Sequence, residues 1–147
     1  MSVRVADRKE GRLQVLDLAM QLAVHTVRMC KSERFPKRDR WILAKPIAED
    51  AIKVYSCIKG ANSTLLKDGP TLDQDFAFRH GLQLQARAAL TSFLGNLHVA
   101  YKVCRQDGIK FDGMDHWVRL AMKTNDKLLR WMASDTERYL DLKGGLR

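Results

Sequence analysis

Basic side chains with aromatic rings set between them are the grouping in this chain whose types and spacing best suit a definite chemistry. From Arg28 to Lys45 run seven basic residues, Arg28, Lys31, Arg34, Lys37, Arg38, Arg40 and Lys45, against two acids, Glu33 and Asp39, with Phe35 and Trp41 inside the cluster. Cations meet phosphates and rings stack on bases, so the pattern fits a polyanion that carries bases. The same charge would also suit an anionic membrane surface or an acidic protein. The two rings would serve equally well as core anchors at a helix start.

The residues that usually carry catalysis are spaced against it. Di-iron bundles place a histidine three residues after a glutamate, and none of Glu10, Glu33, Glu49 and Glu137 has one there. No HExxH, phosphate-loop or GxSxG pattern is present. His80 and His98 would share a helix face but stand about 27 Å apart along it, too far to hold one metal ion. His25 and His116 are single residues on helices, and Glu49 and Asp50, as neighbours on a helix, point to different faces. Cys30, Cys57 and Cys104 are odd in number and widely separated, so they read as reduced, packed thiols rather than a disulfide framework or a zinc site. A non-enzymatic protein without cofactor or metal is the expectation.

The chain of 147 residues is one domain's worth, residues 1–147, and its 26 Lys and Arg against 17 Asp and Glu leave +9 with a pI near 9.7. That excess favours nucleic acid, an anionic surface or an acidic protein as partner. The N-terminal stretch lacks the pattern of a signal peptide, and the most apolar run, Leu13 to Val27, is interrupted by Gln14, Asp17, Gln21 and His25. A cytoplasmic protein outside the membrane is expected.

Helices must position the basic cluster, because no strand signal occurs. The patterning predicts helices over about 8–31, 37–61, 72–106 and 113–139, an all-α, antiparallel four-helix bundle. Asp7 to Glu10 reads as a capping box for the first helix, with a seam of Leu13, Leu16, Met20, Ala23, Val27 and Cys30. Pro36 suits the first turn of the second, where Pro46 predicts a kink or a late start. Its seam is Ala44, Ile47, Ala51, Val54, Ile58 and Ala61. Thr71 to Gln74 reads as a capping box for the third, which Gly81 would divide and whose seam is Ala86, Leu90, Phe93, Leu97, Ala100 and Cys104. On the fourth, capped by Asp112, Met114, Val118, Ala121, Asn125, Leu128 and Met132 form the seam, with Asn125 turned to the core. Residues beyond Leu140 are expected to fray.

Between Phe76 and Gln106 the third helix has no acidic residue, while Arg79, Arg87, Lys102 and Arg105 are basic. A solvated helix ordinarily mixes signs. Such a stretch meets an anion, packs against acidic helices of an assembly, or lies buried between its neighbours.

Arg34-Phe35-Pro36-Lys37, followed by Arg38-Asp39-Arg40-Trp41-Ile42-Leu43-Ala44, resembles the Phe-Pro-Lys joint of small bacterial and phage four-helix-bundle proteins. That group includes the accessory variability determinant (Avd) of diversity-generating retroelements and the proteins encoded in ribosomal RNA intervening sequences. The leucine-rich third helix from Leu82 to Tyr101, the Gly108-Ile109 turn and the final Leu128-Leu129-Arg130-Trp131 extend the likeness over about Leu13 to Ala133. The resemblance implies a homopentameric barrel that binds a reverse transcriptase together with RNA or DNA, and supports mutagenic reverse transcription and retrohoming. It places nucleic-acid contacts first at Arg34, Lys37, Arg38, Arg40 and Lys45, and second at Arg79, Arg87, Lys102 and Arg105. The alternative is a helical interaction module whose basic face docks an acidic protein.

Overall fold

The computed structural model describes residues 5–33 and 35–144, with side chains described from residue 14 onward. The side chains of the Asp7 to Glu10 capping box and of Leu13, together with Arg34 and the last three residues, therefore lie outside what is described. Four α-helices and no strand occur among those described: α1 (Val5–Lys31), α2 (Lys45–Ser63), α3 (Leu72–Gln106) and α4 (Met114–Gly144). Helix α1 packs on α2 and α4, and α3 packs on the same two, so the four helices enclose one core.

Helices α2 and α3 bury the side chains that their spacing predicts. Ile47, Ala51, Val54, Ile58 and Ala61 are fully buried, and Ala44 nearly so. Ala86, Leu90, Phe93, Leu97, Ala100 and Cys104 are buried opposite them. Gly60 leaves room for the Leu82 side chain, whose Cδ1 a Cβ there would meet at 3.1 Å. Asp50 Oδ2 accepts hydrogen bonds from Ser92 Oγ at 2.8 Å and Asn96 Nδ2 at 2.9 Å across this pair.

Helices α1 and α4 bury Ala23, Ala121, Leu128 and Met132 of their predicted seams, while the buried line otherwise runs one residue earlier. On α1 the buried line is Val15, Ala19, Leu22, Thr26 and Met29, while Met20 is 43% exposed. On α4 it is Trp117, Ala121, Thr124, Leu128, Trp131 and Asp135, and Asn125 is only half-buried. Polar residues on the true line cause the difference. Thr26 Oγ1 accepts a hydrogen bond from Trp117 Nε1 at 2.9 Å, and Thr124 Oγ1 donates to the Leu120 carbonyl at 2.8 Å, so both are satisfied inside the core.

The second helix begins late, as Pro46 allows. Pro36 precedes a short 3₁₀ turn, Lys37–Asp39, which runs into a π turn, Arg40–Ala44, and α2 proper starts at Lys45 with Pro46 in its first turn. Lacking an N–H, Pro46 gives no hydrogen bond back to the π turn that precedes it. Gly81 does not divide α3, which runs unbroken for 35 residues, roughly 50 Å. Thr71 makes no side-chain cap to α3; its hydroxyl donates instead to Asp75 Oδ2 at 2.9 Å. Gly108, with φ +70°, ends α3 in a left-handed turn, where Ile109 N donates to the Cys104 carbonyl at 2.8 Å. Helix α4 continues to Gly144, past the expected end near residue 139.

Candidate nucleic-acid interface

The basic joint is pinned to the core by one of its two rings. Phe35 is fully buried and meets the edge of Phe111 at 5.5 Å between centroids. Phe111 in turn stacks on Trp117, 6.1 Å away, which packs on Phe93 at 5.9 Å. Phe35 is thus the anchor that brings the joint to the turn between α3 and α4. Trp41 has the opposite fate: it is 74% exposed, and its neighbour Ile42 is 70% exposed.

Several cations of the joint are already engaged within the molecule. Arg38 pairs with Asp107 beyond the last turn of α3 and lies 3.5 Å from Asp39, and these carboxylates, Asp107 foremost, raise its guanidinium above the ordinary value. Arg40 Nη2 donates to the Ser32 carbonyl at 2.9 Å, which ties the joint back to the end of α1. Lys45 Nζ lies 4.4 Å from the centre of the Trp41 ring and 4.0 Å from Glu49. Lys37 is exposed and has no carboxylate partner among the described residues. Arg34 lies outside them.

The cations of α3 divide sharply. Arg79, expected from the sequence as a nucleic-acid contact, is 1% exposed and cannot reach a phosphate. Its Nε and Nη2 grip both oxygens of Asp135 at 2.5 and 2.8 Å, its Nη1 donates to the Thr64 carbonyl at 2.9 Å, and its guanidinium lies over Trp131 at 4.9 Å. Gln83 Nε2 donates to the same carboxylate at 2.7 Å. A fixed fork of donors makes this a bidentate structural pair that closes the end of the bundle away from the joint. Arg87, Lys102 and Arg105 are exposed, and none of them has a carboxylate partner among the described residues. The Arg38 pair with Asp107 sets the joint beside the end of α3 that carries Lys102 and Arg105.

Lys110, which sequence reasoning passed over because it stands alone in a loop, is exposed at this same end. With His98, Tyr101, Asp112 and Asp115 it lines an open cavity of about 580 Å³ between the later part of α3 and the start of α4. The two acids there outnumber the one lysine, so the cavity is not a cationic site.

The remaining reactive types sit in packing roles. Burial pushes the Cys30 thiol up to about 11, and its Sγ lies 3.5 Å from the Ala44 carbonyl. Burial also raises Cys57 and Cys104. All three are free thiols kept protonated near neutral pH, the wrong state for a nucleophile or metal ligand. His25 and His116 come together across α1 and α4, with ring centres 5.0 Å apart, a meeting that their distance in sequence conceals. Among the described residues no group of three or more His, Cys, Asp or Glu could hold a metal ion. Nor is any described helix long and apolar enough to cross a membrane.

Comparison of the chain with protein-family models, curated proteins and solved structures gives no match.

Proposed function

We propose that the chain is a non-enzymatic, cytoplasmic nucleic-acid-binding bundle that works beside a reverse transcriptase. The observation that carries the nucleic-acid reading is the run of exposed, unpaired cations Arg87, Lys102 and Arg105 on a helix without an acid from Phe76 to Gln106. Lys37 extends it onto the joint. Cations without an internal carboxylate are the ones able to exchange their counterions for phosphates. The reverse transcriptase, the homopentameric barrel and a role in mutagenic copying and retrohoming rest on the resemblance of the joint. An antiparallel protomer is supported by contacts between α2 and α3: Asp50 meets Asn96 while Cys57 approaches Gln85, so residue numbers run in opposite directions.

The test is salt-dependent binding of RNA and DNA by the full chain. We expect a Lys37→Glu, Arg87→Glu, Lys102→Glu, Arg105→Glu variant to lose most binding. Loss of these four phosphate contacts should also flatten the slope of log affinity against log salt by about three for single strands. Unchanged affinity and slope would reject the reading.

A basic face that docks an acidic protein is the second reading. It rests on the same set of exposed cations without internal carboxylates, Lys37, Arg87, Lys102 and Arg105, which would meet a partner's acids as well as phosphates. Its support would be a partner that stays bound after nuclease treatment while no nucleic acid binds at physiological salt.

A further inference from the structure

We propose that Trp41 is a stacking platform for an unpaired base, so that the joint takes single-stranded nucleic acid in preference to duplex. The inference rests on the nucleic-acid reading above and specifies its substrate. A tryptophan and an isoleucine side by side, 74% and 70% exposed, are costly to leave in water, and the same joint shows that a ring can be buried here, since Phe35 is fully enclosed. Trp41 sits outside the core because the π turn Arg40–Ala44 carries it there. Such turns recur at functional positions.

The surroundings of the ring select the occupant. Lys45 Nζ is 4.4 Å from the ring centre, which places an ammonium against the ring while most of the indole remains open. A base laid on the open indole would be held by stacking, and its phosphate would find Lys45 and Lys37 close by along the chain. Glu49 lies 4.0 Å from Lys45, and Asp107 and Asp39 are held by Arg38. They temper the charge without covering the ring. In a duplex every base face is already stacked, so an exposed indole gains nothing from it. Stacking and phosphate contact are blind to the sugar, so DNA and RNA single strands should bind alike.

The chain carries its own reporter. Trp117 and Trp131 are 0% and 6% exposed, which leaves Trp41 as the tryptophan whose emission a ligand can quench. Titration of the full chain with oligothymidylate and with oligouridylate should quench that emission to similar extents, whereas a duplex of equal length should leave it nearly unchanged. Trp41→Ala should weaken single-strand binding by about 5- to 150-fold, the range for one stacked base, with duplex affinity held within about twofold. Trp41→Phe should restore most of the loss. An equal loss for strand and duplex, or no loss for either, would overturn the stacking assignment while leaving the cationic reading intact. Quenching by oligouridylate alone would overturn the claim that the sugar is not read. Absence of all nucleic-acid binding in the unaltered chain would remove both proposals together.

Discussion

The two ends of the bundle hold the same kinds of residue in opposite ways. Away from the joint, Arg79 is shut in with Asp135, Gln83, Thr64 and Trp131, and both oxygens of the carboxylate are bonded. Phe76 is stacked at 4.1 Å on Tyr139, whose hydroxyl donates to Asp73. At the joint, Arg38 meets its carboxylates in open solvent, Trp41 stands out from the surface, and Lys37, Lys102 and Arg105 have no acid beside them among the described residues. Charge and aromatic surface hold the structure together where they are buried and partnered, even with Gln83 Oε1 and Trp131 Nε1 left without a hydrogen bond there. Where they are exposed and unsaturated they are available to a partner.

The largest effect that separates the ends should come from Arg79. Replacing it by Met leaves the Asp135 carboxylate buried and unpaired, and should lower unfolding free energy by about 3 to 5 kcal/mol in a urea titration. Adding Asp135→Leu should recover much of that loss, since an apolar pair removes the orphan charge. A small effect for the first change would mean that the far end is not held by this pair. Thr26→Val removes the acceptor of the Trp117 indole within the core that joins the ends, and should cost about 1 to 3 kcal/mol by the same measurement.

Alkaline pH should then reveal the thiols. Cys30 lies against Ala44 at the joint, and its folded value of about 11 stands above the ordinary 9.0. The unfolded chain therefore gives up this proton first as pH rises, so stability is fully present below about pH 9 and declines toward pH 11. Cys30→Ala should flatten the fall in urea midpoint between those values. A decline of equal steepness in the variant would assign it to other groups. The smallest effect belongs to Asp107→Asn, which breaks the exposed pair with Arg38. Its melting midpoint should stay where it is, while nucleic-acid affinity rises as Arg38 becomes available.

Sequence patterning found the lines from Ala44 to Ala61 along α2 and from Ala86 to Cys104 on α3 because the core positions along them are apolar. On α1 and α4 it found Ala23, Ala121, Leu128 and Met132 but slipped by one between them, where Thr26, Thr124 and Asp135 occupy core positions and broke the apolar count. Tertiary hydrogen bonds make those polar residues acceptable inside, and no local pattern announces a partner 91 residues away, as Trp117 is from Thr26. Arg79 misled for the same reason: its basic type reads as surface, whereas Asp135, 56 residues on, draws it inward. The two rings of the joint are six positions apart in one basic cluster. Composition could not say that Phe35 would be taken into the core and Trp41 left out, because the choice depends on Phe111 and on the form of the turn between them.

In the π turn before α2 the Lys45 amide reaches back to the Arg40 carbonyl, five residues rather than four. One residue more than an ordinary α turn is accommodated there, and each residue of an α-helix advances the chain by about 100°. The heading of everything upstream is thus set by a count of residues rather than by their identity. Point substitutions within 40–44 would leave that heading in place. Loss of a single codon there would swing the preceding cations about a quarter turn around the helix, with the hydrophobic stripe that follows left undisturbed.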